Sequence, residues 1–535
     1  MSESTNEIQT AFPTLDDLQR EVATQSRELP RLQRTTMIAY VAAVMAGVLY
    51  AIFIFNPHNA GQRIPYVMLI LAEIILLSNA GVMIMTILAG DKSSELPAVE
   101  EARRKLLQGA WMPTVDVLIP VYGEPIEIIR TTAIAARDMS LAHRTIICDD
   151  ARDPKVAEMA ASIGVEYRTR PDNVNAKAGN INAALAATTA DYVTILDADH
   201  VPVRAFLERT LAHFVDPRVA FVQSPQSYRN RDASPVASAS HESQRVFYDL
   251  VCPGKNAYNS VFSVGTNVVY RRHALAEVNG LYGETNSEDI WTSLRLHQLG
   301  WASVFVPEIL AEGLAPEDVA TYLQQQYRWS RGAFEILLHA RPWRMKGLTR
   351  DQRIQYIQPG LHYLQSVAML FFMLLPALFL VFYVQPLRVN GVGWLLRYAP
   401  FWVLTQLAIY YQVGRLHVWS YCMAIASVPV HIRAFFTALF RRKYGWRVTN
   451  RQGRVPSVLE SMPTQLLMVL GLLTAFMIGL FPLRSTVPTT ISLVLCLVYA
   501  LSLLVVIRRA TSEWWRSLRH KNKTSRVSTR EAVPA

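Results

Sequence analysis

Two carboxylates spaced i, i+2 close an apolar run, Tyr192-Val193-Thr194-Ile195-Leu196-Asp197-Ala198-Asp199-His200. On a strand that spacing puts Asp197 and Asp199 on one face, at its open end. Two hard oxygen donors placed there suit Mg2+ or Mn2+ carrying a diphosphate. The pair alone is unspecific, because D-x-D occurs in many chains that hold no ligand. Other polar residues stand in a set order around it. Tyr122 and Glu124 follow one short apolar run and Asp150 closes another. These three can contact a base and ribose, or simply be solvated turn residues. Lys177 lies beside Gly179 at a helix start, where amides and a cation favour phosphate; alone it also reads as a surface lysine. Ser287-Glu288-Asp289 opens a helix, with Ser287 in the N-cap position and Gly300 as the stop. The dipole there favours the ionised form of Asp289, which suits a base better than an acid, although two acids also stabilise a helix start. Gln325, Arg328 and Trp329, at i, i+3 and i+4, share one helical face. An indole stacks on a sugar ring while a guanidinium addresses a diphosphate; the same pair also anchors helices at a membrane surface.

These residues need a scaffold that brings strand ends together. Residues 116–121, 144–150, 165–169, 192–199 and 219–223 read as short buried strands with helical stretches between the earlier ones. The expected unit is an α/β domain over 110–335 with a largely parallel sheet and its ligand at the carboxyl ends of the strands. Its flanks differ. Hydrophobic residues make up 51% of the 535-residue chain and charged ones only 18%, with mean hydropathy +0.16. The excess is concentrated in blocks long enough to cross a membrane. Spans are expected at 37–56 and 64–89, forming a hairpin within 37–90, and at 361–384, 391–413, 463–483 and 488–507. Residues 416–440, broken by His431 and Arg433, read as an interfacial helix. Glu73, inside the second span, reads as a packed polar residue or as part of a polar pathway. Residues 1–36 form a polar N-terminal segment, with a short helix expected from Thr14-Leu15-Asp16-Asp17 and no cleavable signal pattern. Residues 508–535 form a basic tail.

Four scattered cysteines argue against both a zinc site and a disulfide framework. The net charge of +11 lies largely in basic loops and the tail, whereas the short opposite loops carry only Arg63, Arg388 and Arg484. The positive-inside rule therefore places the α/β domain in the cytosol. No nucleic-acid-binding motif accompanies the charge.

Taken in order, Ile119-Pro120-Val121-Tyr122-Gly123-Glu124, Cys148-Asp149-Asp150-Ala151, the Lys177 helix start, Asp197-Ala198-Asp199, Ser287-Glu288-Asp289 and Gln325-Gln326-Tyr327-Arg328-Trp329 resemble the family 2 glycosyltransferases. The likeness is to their processive, membrane-embedded, cellulose synthase-like branch. It implies a GT-A (Rossmann-like) α/β cytosolic domain inserted between transmembrane helices of a bacterial inner membrane, with channel segments over 336–507. It also implies an inverting, processive enzyme that polymerises UDP-glucose into a β-glucan with 1,4-, 1,3- or mixed linkage and passes it across the membrane. In this family Tyr122, Glu124, Asp150, Lys177, Asp197 and Arg328 would hold the nucleotide sugar, Asp199 the Mg2+ or Mn2+, and Asp289 would be the base. Trp329 and Gln325 would meet the acceptor. So would Gly265 and Thr266 of Phe262-Ser263-Val264-Gly265-Thr266-Asn267, where the family usually has Phe-Cys-Gly. Serine replaces the usual threonine at 287. Trp446-Arg447-Val448-Thr449-Asn450-Arg451 resembles the family's gating loop (444–454). The partners implied are the UDP-sugar, the growing polysaccharide, the membrane and an accessory export or regulatory subunit; the tail is too short for a C-terminal cyclic di-GMP domain, so regulation is either absent or supplied by a partner. A UDP-N-acetylhexosamine polymerase, chitin- or hyaluronan-like, and a non-catalytic membrane scaffold are the alternatives.

Overall fold

The computed structural model describes residues 34–90, 97–285, 287–388, 391–414, 418–442, 455–481 and 487–531. The N-terminal helix start and the gating-type loop expected from the sequence lie outside these residues.

Seven strands, most of them buried runs of β-branched and aliphatic residues and the two edge ones partly exposed, make the central sheet. They are β1 (Val115–Val121), β2 (Arg144–Asp149), β3 (Glu166–Arg168), β4 (Tyr192–Ile195), β6 (Val219–Gln223), β8 (Val268–Arg271) and β9 (Ala302–Phe305). The strand order is β3-β2-β1-β4-β8-β6-β9. β5 (Val201–Pro202), β7 (Ser227–Tyr228) and β10 (Ala311–Gly313) form a small second sheet. In the first half, β1 pairs in parallel with β2 and β4, and α3 (Ile126–Arg137), α4 (Pro154–Ser162) and α5 (Ala176–Ala186) make the crossovers. The largely parallel expectation fails in the second half, where β8 inserts antiparallel to both β4 and β6. The strand 192–199 is also shorter than expected. It ends at Ile195, so Asp197 and Asp199 lie on the turn beyond it.

The domain is joined to long apolar helices on both sides, as the sequence implied. α1 (Arg34–Ile54) and α2 (Arg63–Ala89) precede it. α6 (Glu288–Gln298) and α7 (Val319–Glu335) belong to it. α8 (Arg350–Phe382), α9 (Gly391–Val413), α10 (Val418–Leu439), α11 (Pro463–Leu480) and α12 (Val487–Glu531) follow. Among the described residues, α1, α2, α8, α10, α11 and the 488–519 part of α12 are long and apolar enough to cross a membrane. Two expectations shift here. The segment 418–439, read as interfacial, has the length and composition of a span, and 391–413, read as a span, does not meet that composition. Packing adds to this picture. α9 runs antiparallel along α1 for its full length: Trp394 Nε1 donates to Tyr50 at 3.2 Å, Phe401 packs on Gly47, and Ala408 joins Ala39 and Tyr40 in one cluster. The turn after α1 pairs with the turn after α8 through Gly61 N to Pro386 O (2.9 Å) and Gln62 N to Gln385 O (2.8 Å). The basic tail of the sequence reading is, as far as Glu531, a helical continuation of α12.

Candidate active site

Strand and helix ends converge on one cavity of about 1610 Å³. Tyr122, Glu124, Asp150, Lys177, Asp197, Asp199, Gly265, Asp289, Gln325, Arg328 and Trp329 all line it. Thr266 does not. It is fully buried beneath the D-x-D turn, where its Oγ1 accepts from Asp197 N at 2.9 Å. Its role there is to shape the turn rather than to face an acceptor.

On the β1 side, Glu124 folds back to accept from Tyr122 N at 2.6 Å, which fixes the turn after the strand. Asp150 is not a free carboxylate. Arg170 clasps both of its oxygens at 2.7 Å, and both side chains are nearly buried. The same guanidinium donates to Val174 O (2.7 Å) and Ala176 O (2.9 Å), so it ties the β2 end to the start of α5. Asn175 and Ala176 both adopt positive φ there, and this tight turn presents Lys177 to the cavity. The chain-local pattern gave no hint of Arg170.

Lys177 is the hub of the site. Its ammonium bonds Asp197 Oδ1, and donates to Gly265 O at 2.8 Å. Gly265 has φ +84°, and a Cβ on it would lie 3.2 Å from Asp289 Oδ2 and 3.4 Å from Lys177 Nζ. This residue therefore has to be glycine for the base and the lysine to approach each other. Burial opposes the charge on Lys177, yet Asp197, Glu288 and Asp289 together hold its pKa above the ordinary lysine value. The converse holds for the acids. Burial, and then the charge of Glu288, push Asp289 up to about 7, and burial raises Glu288 as well. The expectation that the helix dipole keeps Asp289 readily ionised is thus corrected: one ammonium faces three carboxylates, and the cost of burial together with the Glu288 charge outweighs the dipole. A carboxyl titrating near neutrality is well matched to proton abstraction.

Ser287 occupies the N-cap position, but its side chain makes no capping bond. Its Oγ is instead pressed against α7 at Gly332, where a Cβ would come within 1.8 Å. Nearby, Thr285 Oγ1 donates to Glu335 Oε2 at 2.7 Å. The helix that carries the base is therefore seated directly on the helix that carries Gln325, Arg328 and Trp329. The helix stop at Gly300 (φ +89°) is as expected.

Asp197, Asp199 and His200 bring ligand atoms within 4.8 Å of one another. His200 Nδ1 meets Asp199 Oδ1 at 2.9 Å, and Leu314 N donates to Asp199 Oδ2 at 3.1 Å. Burial works to raise the Asp199 pKa, but His200 and the Leu314 amide outweigh it and hold it at about 2. Two carboxylates with hard oxygens fit Mg2+ or Mn2+. The Nε2 of His200 is buried without a hydrogen-bond partner. His200 stands next to the D-x-D in sequence, yet the sequence reading gave it no role.

The cavity does not stop at the domain. It continues between the apolar helices, where Asn79, Gln358, His362, Ser366, Gln406, Tyr421 and His431 line it. Ser366 Oγ bonds His431 Nδ1 at 2.8 Å, and His431 Nε2 is buried without a partner.

The acid-rich α/β site thus opens among helices long and apolar enough to cross a membrane. The model of glycosyl transferase family group 2 matches residues 192–507, and the chain belongs to that family. A cellulose synthase catalytic subunit [UDP-forming] of Pseudomonas fluorescens is 36% identical over 279 residues, which is 50% of this chain and 38% of that protein. The corresponding subunit of Xanthomonas axonopodis pv. citri is 37% identical over 268 residues, 49% and 37% of the two chains. Cellulose synthase 1 of Komagataeibacter xylinus is 34% identical over 278 residues, 50% and 18%. The chain thus matches less than two-fifths of the length of these relatives. Among solved structures, a mannosyltransferase from Pyrobaculum calidifontis in complex with GDP-Man and Mn2+ is similar at TM-score 0.49 and 16% identity, covering 70% of this chain and 100% of that one.

Proposed function

We propose that this protein is an inverting, processive glycosyltransferase that polymerises UDP-glucose into a β-glucan and passes the product across a bacterial inner membrane between its own helices. The observation that carries the reading is the continuity of one cavity. It runs from the D-x-D turn past Asp289 and Trp329 into the helix bundle. A hydrolase or a single-transfer enzyme has no use for such an exit. The part among the helices is lined by amides, hydroxyls and imidazoles rather than by charges, which suits sugar hydroxyls, and His431 Nε2 lacks a protein partner there.

In this reading Tyr122, Glu124 and the Arg170-held Asp150 cradle the uridine. Lys177, Asp197 and Arg328 face the diphosphate. Asp199, with Asp197 and His200 beside it, would hold Mg2+ or Mn2+, which supplies charge neutralisation for the leaving UDP. Asp289 accepts the proton of the acceptor hydroxyl, whose oxygen attacks the anomeric carbon on the face opposite UDP. The carbon–oxygen bond to UDP breaks and the configuration inverts. Trp329 and Gln325 support the acceptor sugar at the mouth of the exit.

The packing also supports a membrane topology. α8 leaves the catalytic domain, where Lys255 Nζ donates to Gln355 O at 2.8 Å. The distal part of α12 returns to the domain, where Val319 N donates to Glu513. The number of crossings between these points is therefore even, so one of the five helices α8–α12 does not cross. α10 is that helix. Its first turns reach Gln406, near the domain-side end of α9, and Thr437 at its other end meets Tyr327 of α7 at 2.9 Å. Arg441, Arg442, Arg508, Arg509 and Arg516 then share a side with the domain, against Arg63 and Arg388 opposite, a charge bias that supports a cytosolic domain.

The test uses protein in nanodiscs with Mg2+ or Mn2+, offered labelled UDP-glucose and UDP-N-acetylglucosamine in parallel, with the polymer digested by linkage-specific glucanases. Glucanase-sensitive polymer from UDP-glucose is expected. Polymer from the amino sugar alone would replace the donor assignment. Absence of both polymer and UDP binding would favour a scaffold.

A further inference from the structure

α7 carries the three residues assigned above to the acceptor and diphosphate, yet its own N-terminus is buried and has to be satisfied from elsewhere. Asp318, the N-cap, accepts from Thr321 N at 2.9 Å and from Thr321 Oγ1 at 2.7 Å. The amide of the first helical residue, Val319, donates at 2.9 Å to Glu513 Oε2, which lies 194 residues later on α12. Glu513 is 7% exposed and is itself held by Arg509 Nε at 2.5 Å. One turn away, Ala510 shares an apolar cluster with Val319, Tyr322 and Leu323 of α7. One turn further along α12, Ser517 Oγ accepts from Val455 N at 3.4 Å. Arg509, Glu513 and Ser517 are spaced i, i+4, i+8, so a single face of α12 makes all these bonds.

We infer that Glu513 is a positioning residue for the transfer reaction: it fixes the first turn of α7 and through it the register of Arg328 and Trp329. The inference rests on the reading of α7 given under Proposed function. A carboxylate at a helix N-terminus satisfies the free amide and complements the dipole. Arg328 lies nine residues on, about 14 Å along the helix axis. Between Glu513 and the helix end lies Gly332, against which Ser287 is packed. Slack in the first turn would reach both the clamp residues and the start of the helix that carries Asp289. The cytosolic extension of the last span thus acts as a strut between the membrane bundle and the catalytic domain.

The test compares Glu513→Ala, Glu513→Gln and Glu513→Asp in nanodiscs by two readouts. The first is amide hydrogen exchange in the first turn of α7. The second is kcat and KM for UDP-glucose, per folded molecule. Glutamine keeps an acceptor oxygen at the right reach, whereas aspartate keeps the charge but falls one methylene short. Loss of the cap in the alanine variant is expected to speed first-turn exchange ~10-fold and to lower kcat ~5-fold or more, with KM changed less than about twofold. Glutamine should restore both readouts, and aspartate should fall between glutamine and alanine. Unchanged exchange in the alanine variant, or aspartate performing as well as glutamine, overturns the inference. If the alanine variant does not fold, the order of glutamine over aspartate still decides. A wild-type protein that makes no polymer would refute the reading of the site, while the exchange data would still judge the contact.

Discussion

Replacing Gly265 with alanine places a methyl group at the point where the base and the central lysine approach each other. The backbone there has φ +84°, and a non-glycine residue in the left-handed region costs ~1–2 kcal/mol. The added Cβ would lie 3.2 Å from Asp289 Oδ2 and 3.4 Å from Lys177 Nζ. Both contacts are tight, so the Asp289 carboxylate has to give way by a few tenths of an ångström. Misplacement of a reacting group by 1 Å costs on the order of 100-fold in rate, so a shift of half that size predicts a loss of ~10-fold in kcat. Gly300→Ala is the internal control. Gly300 has φ +89° and nothing within 4 Å of its would-be Cβ. It carries the same backbone strain without touching the site. Both variants should lose ~1–2 kcal/mol of stability, read as a downward shift in melting temperature. Only Gly265→Ala should lose rate, with radiolabelled polymer formation as the assay. Wild-type kcat in Gly265→Ala, or an equal rate loss in both variants, would refute the claim that Gly265 sets the spacing between base and lysine.

Because burial and Glu288 raise Asp289 to about 7, kcat/KM should rise about tenfold per pH unit below neutrality and level off above it; a rate that is flat from pH 5 to 8 would exclude Asp289 as the base. Asp289→Asn should abolish polymer while binding UDP. An acid whose pKa is raised in the fold is more protonated folded than unfolded, so it subtracts stability as pH rises from about 4 to about 7; this variant should therefore melt higher than wild type at pH 8. Arg170→Ala leaves Asp150 buried and uncompensated, a loss on the order of 3–5 kcal/mol, and calorimetry should show weakened UDP binding. Arg170→Lys, which cannot clasp both oxygens, should recover only part of it. Chelation of divalent ions should stop synthesis, with Mg2+ or Mn2+ restoring it, and Asp199→Ala should fail to respond to either.

The parts of this site that follow short-range rules were legible in the sequence, and the parts that depend on long-range packing were not. The glycine stop at Gly300 and the shared face of Gln325, Arg328 and Trp329 are local matters of helix period and φ, and the structure has them as read. The D-x-D pair was recognised, but its geometry was misjudged. Strand alternation was invoked for two residues that lie beyond the strand end, where the turn over Thr266 brings them together instead. Ser287 has the right type and position for a cap, yet its hydroxyl is committed to the contact with Gly332, which lies on another element. β8 and β9 were not among the strands read from the sequence, and no local pattern says that β8 inserts antiparallel between β4 and β6. The ionic partners are the hardest to read. Arg170 reaches Asp150 across 20 residues and Glu513 reaches Val319 across 194, and a charged residue in a loop or a helical tail looks the same whether or not it is buried. The roles of α9 and α10 show the same limit in the membrane. Composition ranks α10 as the span and α9 as marginal. In the topology proposed above, α12 returns to the side from which α8 departs, and an even number of crossings would reverse that order whatever the hydropathy of any one helix.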